Sequence, residues 1–316
     1  MDRPPLIVIG GPTASGKSAC AVELCRIIQG EVVSADSMQL YQGMDIGTAK
    51  PDPAEMGGIP HHLLSIAPPT QRFSAAAFAQ LAHKAMGEIR ARGKMPVLCG
   101  GTGLYINAVT RPMGFAQNQG DEALRSQLEA RAADEEGRRA LHEELRAIDP
   151  KTAGRLHPND IRRVIRALEV YQLTGKTMSE LAEEDQRRPD LYKAAFFALD
   201  FPREVLYERI DRRVDEMVRR GLEDEVRTLL KGGLSENCTA MQALGYKEMV
   251  WAIRGEISME RAVELIKQGS RNYAKRQLTW FRRDARVQWI GANGRSARDV
   301  AEEMARRARQ AGVLED

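Results

Sequence analysis

Eight residues, Gly11-Pro12-Thr13-Ala14-Ser15-Gly16-Lys17-Ser18, constrain the fold of this chain more than any other segment. They satisfy G-x-x-x-x-G-K-[ST]. They follow the apolar run Leu6-Ile7-Val8-Ile9 and open a stretch with apolar residues at helical spacing: Cys20, Ala21, Leu24, Cys25 and Ile28. A strand that turns through such a loop into a helix aims backbone N–H groups and the positive end of the helix at one point, a cradle for phosphate oxygens. Lys17 then reaches the outer phosphate, and Ser18 supplies an oxygen for Mg2+. The plain alternative is a glycine-rich turn before a helix, but chance produces the pattern only about once in a hundred chains of this length. The helix is predicted from Ser18 to Ile28, with Gly30 as its stop. The loop alone does not say whether a phosphoryl group moves or a diphosphate leaves, and a nucleoside triphosphate such as ATP fits it equally.

Further apolar runs read as strands: Glu31 to Val33, Met95 to Cys99, Ala194 to Leu199 and Val287 to Ile290. Long helical patterns separate most of them, which implies parallel pairing through helical crossovers. The predicted fold is a P-loop-containing α/β core, an open and mostly parallel sheet with helices on both faces. Between Pro112 and Arg188 the sequence turns charged and strand-poor, with Ile161, Val164, Ile165, Leu168, Val170 and Tyr171 at helical spacing. This reads as a mostly helical insertion over 113–190, entered through the polar loop from Gly114 to Gly120 and able to pivot on two connections. The core then comprises 1–112 and 191–316. The chain, at 316 residues, is long enough for both parts.

Composition narrows the class. With 43% hydrophobic and 29% charged residues, 27 glycines and 14 prolines, disordered and collagen-like chains are excluded. Cys20, Cys25, Cys99 and Cys238 have no C-x-x-C spacing and are expected to be reduced. No apolar run approaches the roughly 20 residues that span a bilayer, and no charged leader precedes the first strand, so a cytoplasmic protein without membrane contact is expected. The net charge of +3 is too small to announce a polyanion partner, so local clusters must make that case.

Two more strand ends carry candidate chemistry. Asp36, in Ser34-Ala35-Asp36-Ser37-Met38-Gln39-Leu40-Tyr41, follows the second strand, at the edge where open α/β sheets bind ligands. It reads as a base or hydrogen-bond acceptor, or more plainly as a helix cap or Mg2+ partner. Gly100-Gly101-Thr102-Gly103-Leu104-Tyr105 places a flexible turn and a hydroxyl at the same edge. His61-His62 has no third ligand at metal-binding spacing.

Arg271 to Arg286 holds six basic residues against one acid. At roughly 100° per residue, Arg271, Lys275, Arg282 and Arg286 share one helical face beside the stripe Ala274, Leu278, Phe281 and Ala285. A solvated charged face explains this, but interleaved aromatics favour nucleic acid, whose bases stack on rings while cations hold phosphates. Arg162, Arg163 and Arg166 form a second basic face. Arg209 and Arg213 lie four apart, able to serve a diphosphate or to pair with Asp211, Asp215 and Glu216.

These motifs together resemble one family, the tRNA delta-2-isopentenylpyrophosphate (dimethylallyl) transferases. The resemblance spans Val8 to about Trp289. It rests on the P-loop, Asp36-Ser37-Met38-Gln39 with Tyr41, Gly43 through Pro51, Pro60-His61-His62-Leu63 and Gly100 through Tyr105. It extends to Pro158 through Arg163, Gly245-Tyr246-Lys247-Glu248, and Tyr273 through Gln277 with Trp280-Phe281-Arg282. It implies transfer of a dimethylallyl group from dimethylallyl diphosphate to N6 of the adenosine immediately 3′ of the anticodon, in tRNAs reading codons that begin with U. It implies that Asp36 is the base, that Thr102 lies near the reacting adenosine, and that Arg213 touches the diphosphate. It also assigns tRNA contact to Asp36, Ser37, Met38, Gln39, Thr102, the run Ile161, Arg162, Arg163, Val164 and Ile165, and the turn Gly245, Tyr246 and Lys247. The same is implied for Lys275, Arg276, Gln277, Leu278, Thr279, Trp280, Phe281 and Arg282. The implied cofactor is Mg2+ on Ser18, the partner an anticodon stem-loop, and the state a monomer. A nucleotide-type P-loop kinase would share the loop, sheet and insertion without needing the basic aromatic helix. An adenine-nucleotide prenyltransferase would leave that helix and the insertion unexplained, and a non-catalytic RNA-binding module would not need three strand ends beside a P-loop.

Overall fold

The computed structural model describes residues 3–112 and 121–315. The loop expected at Gly114 to Gly120 lies outside the described residues. In chain order the first elements are β1 (Pro5–Gly10), α1 (Lys17–Ile28), β2 (Gly30–Ser34), α2 (Pro53–Met56), β3 (His61–His62), α3 (Ala75–Ala91), β4 (Met95–Cys99) and α4 (Gly103–Thr110). Then come α5 (Glu122–Arg131), α6 (Glu135–Ile148), α7 (Pro150–Ala153), α8 (Ile161–Thr174) and α9 (Met178–Arg187). The chain continues with β5 (Lys193–Asp200), α10 (Arg203–Arg219), α11 (Leu222–Lys231), α12 (Tyr246–Ile253), α13 (Met259–Arg282), β6 (Val287–Gly291) and α14 (Ala297–Gln310).

Among the described residues the six strands are all parallel, in the order β3-β2-β4-β1-β5-β6. Parallel strands are buried on both faces, which is why they are continuous apolar runs with no polar alternation. Ile7, Ile9, Val32, Val97, Phe197, Leu199 and Ile290 share one core with Leu24 of α1 and with Val300 and Met304 of α14. Across the sheet, α3 lies against β2 and β4, and α4 against β1. A second core joins Tyr41 and Met44, in the segment after β2, to Val214, Leu222, Val226, Tyr246, Met249 and Ile266 of α10 to α13.

Two local expectations are corrected, and one strand is added. Helix α1 stops one residue before Gly30: Gln29 adopts the left-handed conformation (φ 53°), and its N–H reaches the Cys25 carbonyl. Gly30 is instead the first strand residue, where a Cβ would stand 2.8 Å from the Met95 carbonyl oxygen. His61 and His62 form an edge strand too short for any periodicity to reveal. There the His62 ring meets Glu31 at 2.7 Å, a carboxylate that also accepts from Arg92 at 2.6 Å. Helix α13 ends at Arg282, so Arg286 does not continue its basic face; its guanidinium binds Asp284 at 2.7 Å and stands over the Phe196 ring.

Residues 111–191 form a separate compact unit. Its core is Leu128, Leu141, Leu145, Ala153, Val164, Ile165 and Leu168. Glu169, fully buried in that unit, accepts from Arg125 at 2.9 Å and from Arg166 at 2.6 Å. Burial alone would raise its carboxyl, but the hydrogen bonds from Arg166 and Arg125 outweigh it and hold the group below its ordinary value. A carboxyl shifted down stabilises the fold at neutral pH and loses that contribution as pH falls through its folded value. Glu169→Ala would strand two arginines and is expected to destabilise this unit by about 3 kcal/mol. Hydrogen exchange of the α5 and α8 amides would show it as faster opening, whereas unchanged protection would refute the assignment.

Candidate functional site

The P-loop occupies Gly11 to Gly16, with α1 starting at Lys17. Two glycines carry positive φ, Gly11 at 131° and Gly16 at 87°, and between them Ala14 does too, at 59°. This left-handed backbone lets the loop curl tightly, and the Thr13 N–H donates to the Gln277 side chain at 2.9 Å. Other elements hold the rim: Arg209 Nε of α10 donates to the Ala14 carbonyl at 2.8 Å, and Lys17 Nζ donates to the Pro12 carbonyl at 3.2 Å. Ser15 Oγ is buried with no hydrogen-bond partner among the described residues, a donor that a bound anion would satisfy. Ser18 is exposed at the head of α1.

The segment after β2 lies beside this loop. Asp36 Oδ1 accepts from the Met38 N–H at 2.9 Å, forming a tight turn and leaving lone pairs for a substrate. Thr102 Oγ1, after β4, accepts from the Ser37 N–H at 3.1 Å and so ties the second strand end to the third. Burial lowers the Lys17 ammonium from its ordinary value; neighbouring Arg213 adds to this, and Cys99 and Asp36 oppose it. Burial likewise lowers the Arg213 guanidinium, with Asp36 pulling the other way. Lys17, Arg213 and Asp36 therefore share one electrostatic neighbourhood.

Arg209 and Arg213 of α10 are not spent on the acids that sequence spacing offered them. Arg213 Nη2 donates to the Ala49 carbonyl at 3.3 Å, while Asp211 binds Arg271 at 2.5 Å, Asp215 binds Lys267 at 2.6 Å and Glu216 binds Arg219 at 2.5 Å. Arg271 is thus a brace between α10 and α13, not a free cation facing an anion.

Several residues expected to touch RNA are interior. Val164 and Ile165 belong to the core of the 111–191 unit, while Arg162 and Arg163 are exposed and Ile161 is half-buried. Gly245 and Tyr246 are buried and Lys247 is half-buried, its ammonium 5.9 Å from the Trp251 ring centroid. Tyr246 donates to Glu225 at 2.7 Å, and the same carboxylate accepts from the N–H groups of Asp45, Ile46 and Gly47 at 2.8, 2.7 and 3.0 Å. On α13, Gln277 and Phe281 are buried and Leu278 half-buried, but Lys275, Arg276, Thr279, Trp280 and Arg282 form an exposed basic and aromatic face. Phe281 packs on Gly10, and Trp280 lies against Gly103, next to Thr102. Ser37, Met38 and Gln39 are half-buried, and Gln39 spends its amide on Ser34 Oγ, Thr48 O and Ala49 O.

Sequence reasoning missed Tyr273 as a site residue. It is half-buried on α13, one turn before Gln277, and its hydroxyl is pushed up to about 12, first by burial and then by the charge of Asp36. Its signal was available: it precedes Gln277 by four residues and so shares its helical face.

Comparison with known proteins places these residues in context. Residues 39–284 match the family model described as IPP transferase. A tRNA dimethylallyltransferase of Geobacillus thermodenitrificans is 51% identical over 285 residues, covering 90% of each chain. One from Carboxydothermus hydrogenoformans is 47% identical over 299 residues, covering 95% of this chain and 96% of its own. The crystal structure of the tRNA isopentenylpyrophosphate transferase of Bacillus halodurans superposes with a TM-score of 0.72 at 43% identity, covering 98% of both chains. A eukaryotic dimethylallyltransferase captured acting on tRNA superposes with a TM-score of 0.78 at 29% identity, covering 98% of this chain and 77% of its own.

If Tyr246 and Glu225 brace the 45–47 segment, Tyr246→Phe should cost about 1 kcal/mol of stability and Glu225→Ala about 3 kcal/mol, since the latter strands three N–H groups and a hydroxyl. Thermal denaturation reads both. Tyr246→Phe should also leave RNA affinity within about twofold, whereas a tenfold loss would make Tyr246 a direct contact.

Proposed function

The chain belongs to the IPP transferase family, and from that premise we propose that it is a tRNA dimethylallyltransferase. It moves the dimethylallyl group from dimethylallyl diphosphate to N6 of the adenosine immediately 3′ of the anticodon, in tRNAs reading codons that begin with U. One observation carries the reading: the loop that opens α1 is bonded through Gln277 to Gly101, the neighbouring Thr102 holds the turn that contains Asp36, and Trp280 of the exposed basic and aromatic face of α13 lies against Gly103.

The chemistry follows from these groups. The adenine N6 nitrogen forms a bond to the allylic carbon as the bond from that carbon to the bridging oxygen breaks, and the electron pair leaves on diphosphate. Lys17, Arg213 and the N–H groups of the loop, other than that of Thr13, which Gln277 holds, and of Pro12, which has none, stabilise the charge that grows there. N6 is a weak nucleophile because its lone pair is delocalised into the ring; Asp36 accepts its hydrogen bond and then its proton. Thr102 helps to place the adenine, which must leave the anticodon-loop stack to reach the site. No phosphoryl group moves, so a kinase reading has no work for this arrangement.

Mg2+ fits the site. Among the described residues no cluster of three or more His, Cys, Asp or Glu forms a cage, but Mg2+ is commonly held by one or two protein oxygens plus substrate phosphates. Exposed Ser18 Oγ and two diphosphate oxygens would hold it, and it would neutralise charge on the leaving group.

For tRNA, the exposed residues are the contacts: Lys275, Arg276, Thr279, Trp280 and Arg282 on α13, and Arg162 and Arg163 on α8. Val164, Ile165, Gly245, Tyr246, Gln277 and Phe281 support the contacts from inside. The proposed state is a monomer. No helix among the described residues is long and apolar enough to cross a membrane; the proposed location is the cytoplasm.

Incubation with labelled dimethylallyl diphosphate and unmodified tRNA should put label in the RNA and release one diphosphate per label; ADP formation from ATP without prenylation would contradict the reading. Asp36→Asn keeps the turn to Met38 but removes the base, and should slow single-turnover transfer by about 10²–10⁴-fold with tRNA binding retained. Full transfer by this variant would remove Asp36 from the chemistry. Lys275→Glu should weaken tRNA binding and reduce the salt slope by about one unit. An unchanged dissociation constant across salt concentrations would show that α13 is not a contact.

A further inference from the structure

Gln277 sits on the helix that carries the exposed basic face, yet it is only 5% exposed. Its amide oxygen accepts from the Thr13 N–H of the P-loop at 2.9 Å, and its amide nitrogen donates to the Gly101 carbonyl at 2.9 Å. Only this orientation satisfies both partners, since a flipped amide would set a donor against a donor and an acceptor against an acceptor. The fit is close: a Cβ on Gly101 would run into the amide nitrogen. Gly101 is followed by Thr102, which holds the Ser37 N–H and thereby the turn that contains Asp36. A continuous chain of covalent and hydrogen bonds thus runs from the loop that cradles the diphosphate, through Gln277, to the residues that receive the adenine. Phe281, one turn later, is seated on Gly10, the last residue of β1 before the same loop.

Resting on the functional reading above, we propose that Gln277 is a positioning residue that sets the distance between the donor cradle and the acceptor edge. It touches neither substrate. Its two hydrogen bonds hold the allylic carbon and N6 in register, and they do so from the helix whose outer face meets the RNA. Displacing reacting groups by about 1 Å can cost on the order of 10²-fold in rate, so a link of this kind governs turnover more than binding.

The test uses the full chain with dimethylallyl diphosphate and unmodified tRNA. Gln277→Leu removes both hydrogen bonds. Gln277→Glu keeps the acceptor for Thr13 but sets a carboxylate against the Gly101 carbonyl, and its near-identical shape keeps the test valid should the leucine variant fail to fold. Both are expected to lower kcat by about 30- to 100-fold while the tRNA dissociation constant stays within about twofold. A kcat within threefold of the parent would overturn the proposal. So would a tenfold weaker tRNA dissociation constant with kcat preserved, which would make Gln277 an RNA contact. Absence of transfer by the parent protein would instead overturn the functional reading itself.

Discussion

Parallel pairing of β1, β2 and β4 is the constraint on which the site depends. Because the three strands run in one direction, the segments that follow them leave the sheet at one edge, and these segments carry Lys17, Asp36 and Thr102. Had one strand been reversed, its chemistry would have emerged at the opposite end. The register reinforces this: Ile9 pairs with Cys99 and Ser34 with Cys99, so the strand ends align laterally. The Ala35 N–H then accepts no freedom of its own, since it donates to the Cys99 carbonyl at 2.8 Å just before Asp36.

The sheet alone leaves these segments as loops, and α10 and α13 turn them into a rigid site. Ion pairs between the two helices, Arg271 with Asp211 and Lys267 with Asp215, occupy two acids that neighbour Arg209 and Arg213 on α10. Arg209 and Arg213 are thereby left to the carbonyls of Ala14 and Ala49. Glu225 gathers three successive N–H groups at Asp45 to Gly47, and Lys50, buried, joins the Tyr41 carbonyl to Asp45 and Ser65. A buried charge with this many partners specifies one arrangement of a segment that has almost no regular structure. Burial pushes the nearby Cys99 thiol up to about 12, which keeps it an inert packing group beside the cradle.

Much of this was legible in the residues and some was not, for physical reasons. The P-loop, five of the six strands and the helical character of 121–187 announce themselves through local pattern: apolar runs, helical spacing, and glycines where the backbone turns. Strand β3 has two residues and no period to detect. Gln277 could be read from its motif as important but not as interior, because its partners, Thr13 and Gly101, lie 264 and 176 residues away. The same holds for Tyr246, whose role depends on Glu225, and for the basic run after Arg271. A helical wheel treated that run as one continuous face, but the helix ends at Arg282 and Asp284 claims Arg286. Burial, not residue type, separates Val164 and Ile165 from Arg162 and Arg163 on α8.

The central claim is that the cradle holds a leaving group and transfers no phosphoryl group. Dimethylallyl diphosphate carrying heavy oxygen in the position that bridges carbon to phosphorus tests it most directly. After one turnover with tRNA, mass analysis of the products should find all the heavy oxygen in the released diphosphate and a five-carbon group on the adenine. Heavy oxygen retained on a five-carbon alcohol, or phosphate attached to the RNA, would show that the phosphorus–oxygen bond breaks instead and would contradict the account.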